Sequence, residues 1–410
     1  MQSPFKDLPR EISILVAASF FVAVGFGIVL PAIPVFARTF GVNNAAIGLI
    51  VSMFAITRFA SGLISGKLVD LFGERAVFSS GVFMVAIFVF LAGLSTSYNQ
   101  LLFFRAAGGL GSSMFSVAAG SVILRTVSDE QRGRAQSVYN GSFLLGGVAG
   151  PAIGGLLSLI SLRAPFFAYS AMLMSSGIVA HFFLKSDKLG KREKGAVAGE
   201  HTSVREALAM KPYRIALVLV FIVNWVVFGM RASIMPIFVT EELHSTTAVV
   251  GYGFALSAIF QGALLMRGGR LSDAQGRRIA SVIGSSIALA GVIILTVSIH
   301  PWMYLVAMSV MGVGGAFLST TPASIVGDVI RGRGGQVIAI FQMAGDAGMI
   351  AGPIIIGALS DAYSYRTAFA VSAVVFAIGA AMTTQIPETR QAYLSGEKER
   401  PQVNNLGSLE

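Results

Sequence analysis

Hydrophobic residues in this chain neither alternate nor recur every three or four positions. They come in long blocks separated by short polar stretches, near residues 12–36, 45–66, 76–95, 100–124, 135–159, 164–184, 215–239, 248–267, 278–298, 302–327, 335–359 and 367–385. The hydrocarbon core of a bilayer is about 30 Å thick and takes roughly 20 apolar residues of helix to cross. Each block therefore predicts one transmembrane helix. Barrel strands are excluded by block length, because a strand would show about ten residues of alternating polarity. The expected fold is all-α and integral to the membrane, with twelve transmembrane helices.

The longest polar interval follows the sixth block and includes KLGKREKGAVAGEH. It divides the chain into an N-terminal six-helix half (1–184), a central loop (185–214), a C-terminal six-helix half (215–387) and a polar tail (388–410). Within the loop, TSVREALAMK has the pattern of a short amphipathic helix at a membrane surface.

Charge placement gives the orientation. Of 30 Lys and Arg, 24 fall in segments on the side of the N-terminus, whereas the opposite loops hold only Arg38, Arg163 and Arg366. Basic residues concentrate on the cytoplasmic side, so the chain is expected to be multi-pass in the plasma (cell inner) membrane with both termini cytoplasmic. The net charge of +10 then reports topology, and no nucleic-acid partner is needed to explain it.

Composition narrows the function. Only 12% of residues are charged and 54% are hydrophobic, against about 25% charged in a soluble domain. The absence of cysteine excludes disulfides, thiolate metal sites and thiol catalysis. The four histidines, His181, His201, His244 and His300, are not spaced as ligand pairs. There is no G-x-x-x-x-G-K-[ST] loop for ATP, nor a cluster of nucleophile and base at one membrane depth. No cofactor, metal or enzymatic activity is expected. The first block is too long for a signal-peptide core of roughly 7–15 residues.

The chain also repeats itself. Gly66-Lys-Leu-Val-Asp70-Leu-Phe-Gly73-Glu-Arg75 recurs 203 residues later as Gly269-Arg-Leu-Ser-Asp273-Ala-Gln-Gly276-Arg277-Arg278. Gly150-Pro151 recurs at Gly352-Pro353, and Gly27 and Pro34 recur at Gly229 and Pro236, each at an offset of 202. Three signatures at one offset define two homologous halves. The repeated G-x-L-x-D-x-x-G-x-R, in a chain of twelve blocks, resembles the major facilitator superfamily. That resemblance implies a substrate cavity between the halves and transport by rocking one against the other.

In the repeated segment, the glycines permit tight turns and close helix approach. Asp70 and Asp273 are candidates to pair with Arg75, Arg132, Arg134, Arg277 or Arg278, as gate latches or as plain turn residues with solvated charges. In the fifth block, Gly146, Gly150 and Gly154 recur every four residues and form a strip for close helix packing, with Pro151 bending the helix. The string G-x-x-x-G-P-x-x-G-G resembles the drug:proton antiporter branch of the superfamily. The GFGIVLPAIP of the first block and Arg105-Ala-Ala-Gly108-Gly109-Leu-Gly111 of the fourth also resemble that branch.

Three arginines, Arg58, Arg105 and Arg231, lie inside predicted helices, and Asp346 is the one acid in the central part of any. A charge at the bilayer centre costs about 3 kcal/mol or more and points to function. Their repeat equivalents are uncharged: Met308 for Arg105, Val29 for Arg231 and Leu144 for Asp346. Asp346 and Arg105 are the candidate proton-coupling residues, with the arginine that pairs with Asp346 open among the three; a static ion pair between Asp346 and one arginine, fixing helix packing, is the other reading. Arg58, Arg105, Arg231, Asn140, Asn224, Gln261 and Gln342 are candidates to line a substrate cavity, together with Tyr139.

Two transport readings result. In the first, a monomer exports a lipophilic or amphipathic small molecule in exchange for protons, as the fifth-block string and Asp346 suggest. In the second, the surplus of arginines over Asp346 serves an anionic substrate or a lipid, without obligatory proton antiport.

Overall fold

The computed structural model describes residues 9–127, 129–184, 202–319, 321–329 and 335–387. The described residues are helical and form no strand. In chain order the crossings are α1 (Arg10–Arg38), α2 (Asn44–Ala60 continued by Gly62–Phe72), α3 (Glu74–Leu94), α4 (Tyr98–Thr126), α5 (Asp129–Ile160) and α6 (Ala164–Phe183). The second half follows as α7 (Lys211–Glu242), α8 (Thr247–Gln275), α9 (Arg277–Thr296), α10 (Pro301–Leu318 and Thr321–Val329), α11 (Gly335–Ala362) and α12 (Tyr365–Thr383). A short helix, Val204–Ala209, precedes α7, and its first turn is closed by reciprocal bonds between Ser203 and Glu206. The candidates in 185–201 and 388–410 lie outside the described residues.

Twelve crossings return the chain to the side on which it began. That side is called the terminal face below, and the opposite one the far face. Several far-face helix starts are capped in the ordinary way. Asn43, Ser97 and Ser364 accept hydrogen bonds from the backbone N–H of Ala46, Gln100 and Thr367 at the starts of α2, α4 and α12.

Each half has its own apolar core. One is centred on residues such as Ile50, Phe78 and Phe166, the other on Met230, Phe238 and Phe369. Within each half a small-residue seam brings the first and fifth helices together. An added Cβ at Gly150 would lie 2.7 Å from the Cα of Gly27, and one at Gly229 would lie 2.9 Å from the Cα of Gly352. Gly146 lies on Ala23 and Val24, and Gly154 on Ile28. Such backbone-to-backbone seams suit helices in lipid, where close packing replaces the hydrophobic drive of water.

The repeated segment differs from a turn between helices. Gly66 and Asp70 sit on the second part of α2, and Gly269 and Asp273 on the end of α8. Only Gly73 and Gly276, at φ 79° and 104°, break the chain, and there a left-handed backbone calls for glycine. Added Cβ atoms at Gly66 and Gly269 would meet nothing within 4 Å, so these two glycines serve no close approach here. α2 instead bends by 50° between Ala60 and Gly62. The hydroxyls of Thr57 and Ser61 donate to the carbonyls of Met53 and Thr57 in the preceding turn, a pattern that bends helices.

Candidate functional site

The halves touch chiefly along two helix pairs, α2 with α11 and α5 with α8, and α1 and α2 also meet α7. At the α2–α11 contact the Arg58 guanidinium pairs with the Asp346 carboxylate. Arg58 lies just before the bend of α2 and also reaches the Met349 sulfur at 3.8 Å. One turn toward the far face, Phe54 and Ala55 pack on Met349, flanked by Phe228 of α7 and Ile350. The Ser52 hydroxyl donates to the Ile350 carbonyl at 2.7 Å. The ion pair thus crosses from one half to the other beneath an apolar plug. Of the three intramembrane arginines Asp346 meets Arg58, because Arg58 is on the helix that faces α11, whereas Arg105, the other proton-coupling candidate, is on α4 and turns into its own half.

The far face is held shut. Arg38 at the end of α1 donates two hydrogen bonds, of 2.6 and 2.8 Å, to the carboxylate of Glu241 on α7. The Tyr365 hydroxyl donates to the same carboxylate at 2.7 Å. Asp361 at the end of α11 accepts from the backbone N–H of Asn44 and Ala45 at 2.9 and 2.8 Å, placing an anion on the positive end of α2. Between described residues, no hydrogen bond or ion pair crosses the halves nearer the terminal face than Arg58–Asp346. These far-face contacts were not expected. The repeat does not point to them, since at the 202-residue offset of the first and seventh helices Arg38 matches Thr240 and not Glu241.

Arg105 and Arg231 are different. Neither forms an ion pair or hydrogen bond among the described residues, and the Nε of each is sealed without a partner. Arg105 lies over the Phe54 ring at 4.7 Å and Arg231 over the Phe254 ring at 5.3 Å. Each phenylalanine is on the second helix of its half. Arg105 borders a small cavity whose other walls, among them Phe88, Phe104 and Phe166, are apolar.

At the terminal face each half has an ion pair with one buried partner, Glu74 in the first and Arg277 in the second. Arg125 of α4 donates to Glu74 at 2.7 Å and stands 3.5 Å from Asp70, while Ser121 donates to Glu74 at 2.8 Å. In the other half Arg277 meets Asp328 at 3.0 Å and donates to Ser272 at 2.9 Å. Asp70 was expected to meet Arg75, Arg132 or Arg134. It stands instead at the exposed rim of a pair whose acid, Glu74, is only 2% exposed. The side chains of Arg132, Arg134, Asp273 and Asn140 lie outside the described ones.

Of the other candidates, Asn224 donates to the Val220 carbonyl of its own helix and borders Gly345 of α11. Gln261 borders Gly315 of α10, Tyr139 packs on Phe143, and Gln342 is exposed. Among the described residues no three of His, Asp and Glu converge as a metal ion would require.

Two six-helix units, joined by charged contacts across a shared interface, invite comparison with known transporters. The profile of the Major Facilitator Superfamily matches residues 15–231 and again residues 217–406. The chain belongs to the major facilitator superfamily. It is 25% identical over 383 residues to multidrug resistance protein 1 of Bacillus subtilis (strain 168), covering 91% of this chain and 95% of the relative. It is 26% identical over 390 residues to multidrug resistance protein MdtG of Dickeya zeae (strain Ech586), covering 91% and 93%. In fold it is similar to a bacterial homolog of the human lysosomal transporter Spinster, crystallised inward-facing and unoccupied. The TM-score is 0.78 at 17% identity, covering 96% of this chain and 99% of that one. As a member of the major facilitator superfamily the protein is a multi-pass membrane transporter and not an enzyme.

Proposed function

We propose that this protein exports a lipophilic or amphipathic small molecule in exchange for protons, by alternating access, with its terminal face in the cytoplasm. The observation that carries the reading is the Arg58–Asp346 pair, because its partners belong to different halves. A pair within one half would move as a unit. This one must part when α2 separates from α11.

On this reading the far-face contacts close the molecule to the outside. Opening that face means breaking Arg38–Glu241 and Asp361 from α2, and with them the plug and the ion pair. Asp346 would then have lost its counter-charge, and in this reading a proton takes the place of Arg58. The proton comes from outside because that side is open. On return, Arg58 comes back to Asp346, and the proton leaves to the cytoplasm. One inward proton per cycle can so drive the substrate outward. The relatives named for multidrug resistance support the export direction.

The test is flux of amphipathic dyes in proteoliposomes under an imposed pH gradient, comparing wild type with Asp346→Asn. Asparagine keeps the shape but cannot ionise. The reading expects dye to move against its gradient only while protons flow the other way, and the variant to lose that drive. Gradient-driven uptake at the wild-type rate in Asp346→Asn overturns it.

A further inference from the structure

Arg231 is set apart from the other intramembrane arginines by its backbone. From Trp225 to Ile234, α7 is wound as a π-helix, whereas the matching stretch of α1 is an ordinary α-helix that ends at Val29 and breaks at Leu30–Pro31. π-helical insertions are rare and occur mostly at functional sites. Here the wider turn packs Gly229 against Gly352 of α11 and delivers Arg231 to the opposite side, over Phe254 of α8.

That guanidinium is unsatisfied. Its Nε has no hydrogen-bond partner. Tyr304, a buried neighbour, commits its hydroxyl to the Val250 carbonyl at 2.9 Å. Among the described residues no carboxylate answers the charge. Arg105 shares the lack of a partner but stands on a regular α-helix, beside a small apolar cavity.

We propose that Arg231 recognises an acidic group on the transported molecule, a carboxylate, sulfonate or phosphate monoester attached to an apolar body. A guanidinium held over an aromatic face keeps its in-plane N–H groups free, and these match a pair of anionic oxygens. An anion there supplies the counter-charge that no described residue provides. The proposal rests on the reading of the chain as a transporter and names the charge class of its substrate.

The experiment uses purified full-length protein in detergent and energy transfer from Trp225, which opens the same π-helical stretch. Trp302, the second tryptophan and an exposed one, is first changed to phenylalanine. The probes are pyrenebutyric acid, its methyl ester and pyrenebutylamine. The expected order is carboxylate tighter than ester by about tenfold, with the amine weakest. Arg231→Gln should bring the carboxylate down to the level of the ester, and Arg231→Lys should restore part of the difference, since a point charge replaces the fork. Equal binding of carboxylate and ester to the wild type, or tightest binding of the amine, overturns the proposal without reference to any variant. A carboxylate preference that stands while flux ignores the pH gradient supports the proposal and removes only the antiport reading.

Discussion

Glu74 and Arg277 occupy the same point of the two halves, 203 residues apart, and one is a buried acid where the other is a buried base. Their partners are exchanged in the same way, since Arg125 and Asp328 also stand 203 residues apart. The ion pair at the terminal face is thus kept in both halves while its polarity is inverted. What the fold asks of this place is a neutral pair, and the order of the charges is free.

That freedom can be tested. Glu74→Ala takes from Arg125 its close partner, but Arg125 is itself 29% exposed and keeps Asp70 at 3.5 Å, so the cost should be that of a charge-assisted hydrogen bond, about 1.5–3 kcal/mol. It should lower the unfolding temperature in detergent accordingly. The double reversal Glu74→Arg with Arg125→Asp copies the arrangement of the other half and should recover most of the loss. A double variant no better than the single one would show that the polarity of this half is itself required.

Arg38 and Glu241 are a third to two-fifths exposed, so their contribution to stability should be small, about 0.2–1 kcal/mol. Their effect should appear in the balance between conformations. Charge reversal at Arg38 alone is expected to open the far face, and adding Glu241→Arg should close it again. With no cysteine in the chain, spin labels on single introduced cysteines in loops 39–43 and 297–300 can report the distance. An unchanged distance distribution in the single variant would remove the pair from the gate.

Arg105→Met should make the protein more stable and less active. The matching residue of the second half is Met308, so the fold accepts methionine there. Removing a buried cation recovers a penalty of about 3 kcal/mol, less about 2 kcal/mol of interaction with the Phe54 ring. The expected net gain of about 1 kcal/mol is measurable by thermal unfolding, and flux in the same preparation measures the loss of activity. A destabilised variant would mean that Arg105 has a structural role.

The glycines of the repeated segment should divide into two kinds. Gly73→Ala forces a side chain into the left-handed region and should cost about 1–2 kcal/mol. Gly66→Ala has open space around it and lies within a helix, where alanine is better by about 0.5–1 kcal/mol. If Gly66→Ala gains stability but loses flux, that glycine works in the state in which the terminal face closes.

Blocks of apolar residues revealed the crossings because lipid leaves helices no other way to satisfy their backbone. The small-residue strips of Gly146, Gly150 and Gly154 were legible for the same reason: backbone contact excludes larger side chains. Partner choice among charges was not legible. Asp346 had three arginines to choose from, and only the face that α2 presents to α11 selects Arg58. Glu74 was passed over because in sequence it reads as an ordinary charge at a helix end, whereas packing buries it beneath Arg125. The π-helical turn of α7 leaves no mark in the pattern, since it changes the direction of side chains and not their type.

The Arg38–Glu241 contact bears on how such a molecule can be assembled. Both residues stand at the same end of matching helices, but the 202-residue offset of α1 and α7 matches Arg38 with Thr240 and Glu241 with Thr39. Neither charge has a counterpart in the other half. Two copies of the first half would bring arginines and no acid to this place, and two copies of the second half would bring acids and no arginine. This closure of the far face therefore belongs to the fused chain, and a duplicate of either half alone could not reproduce it.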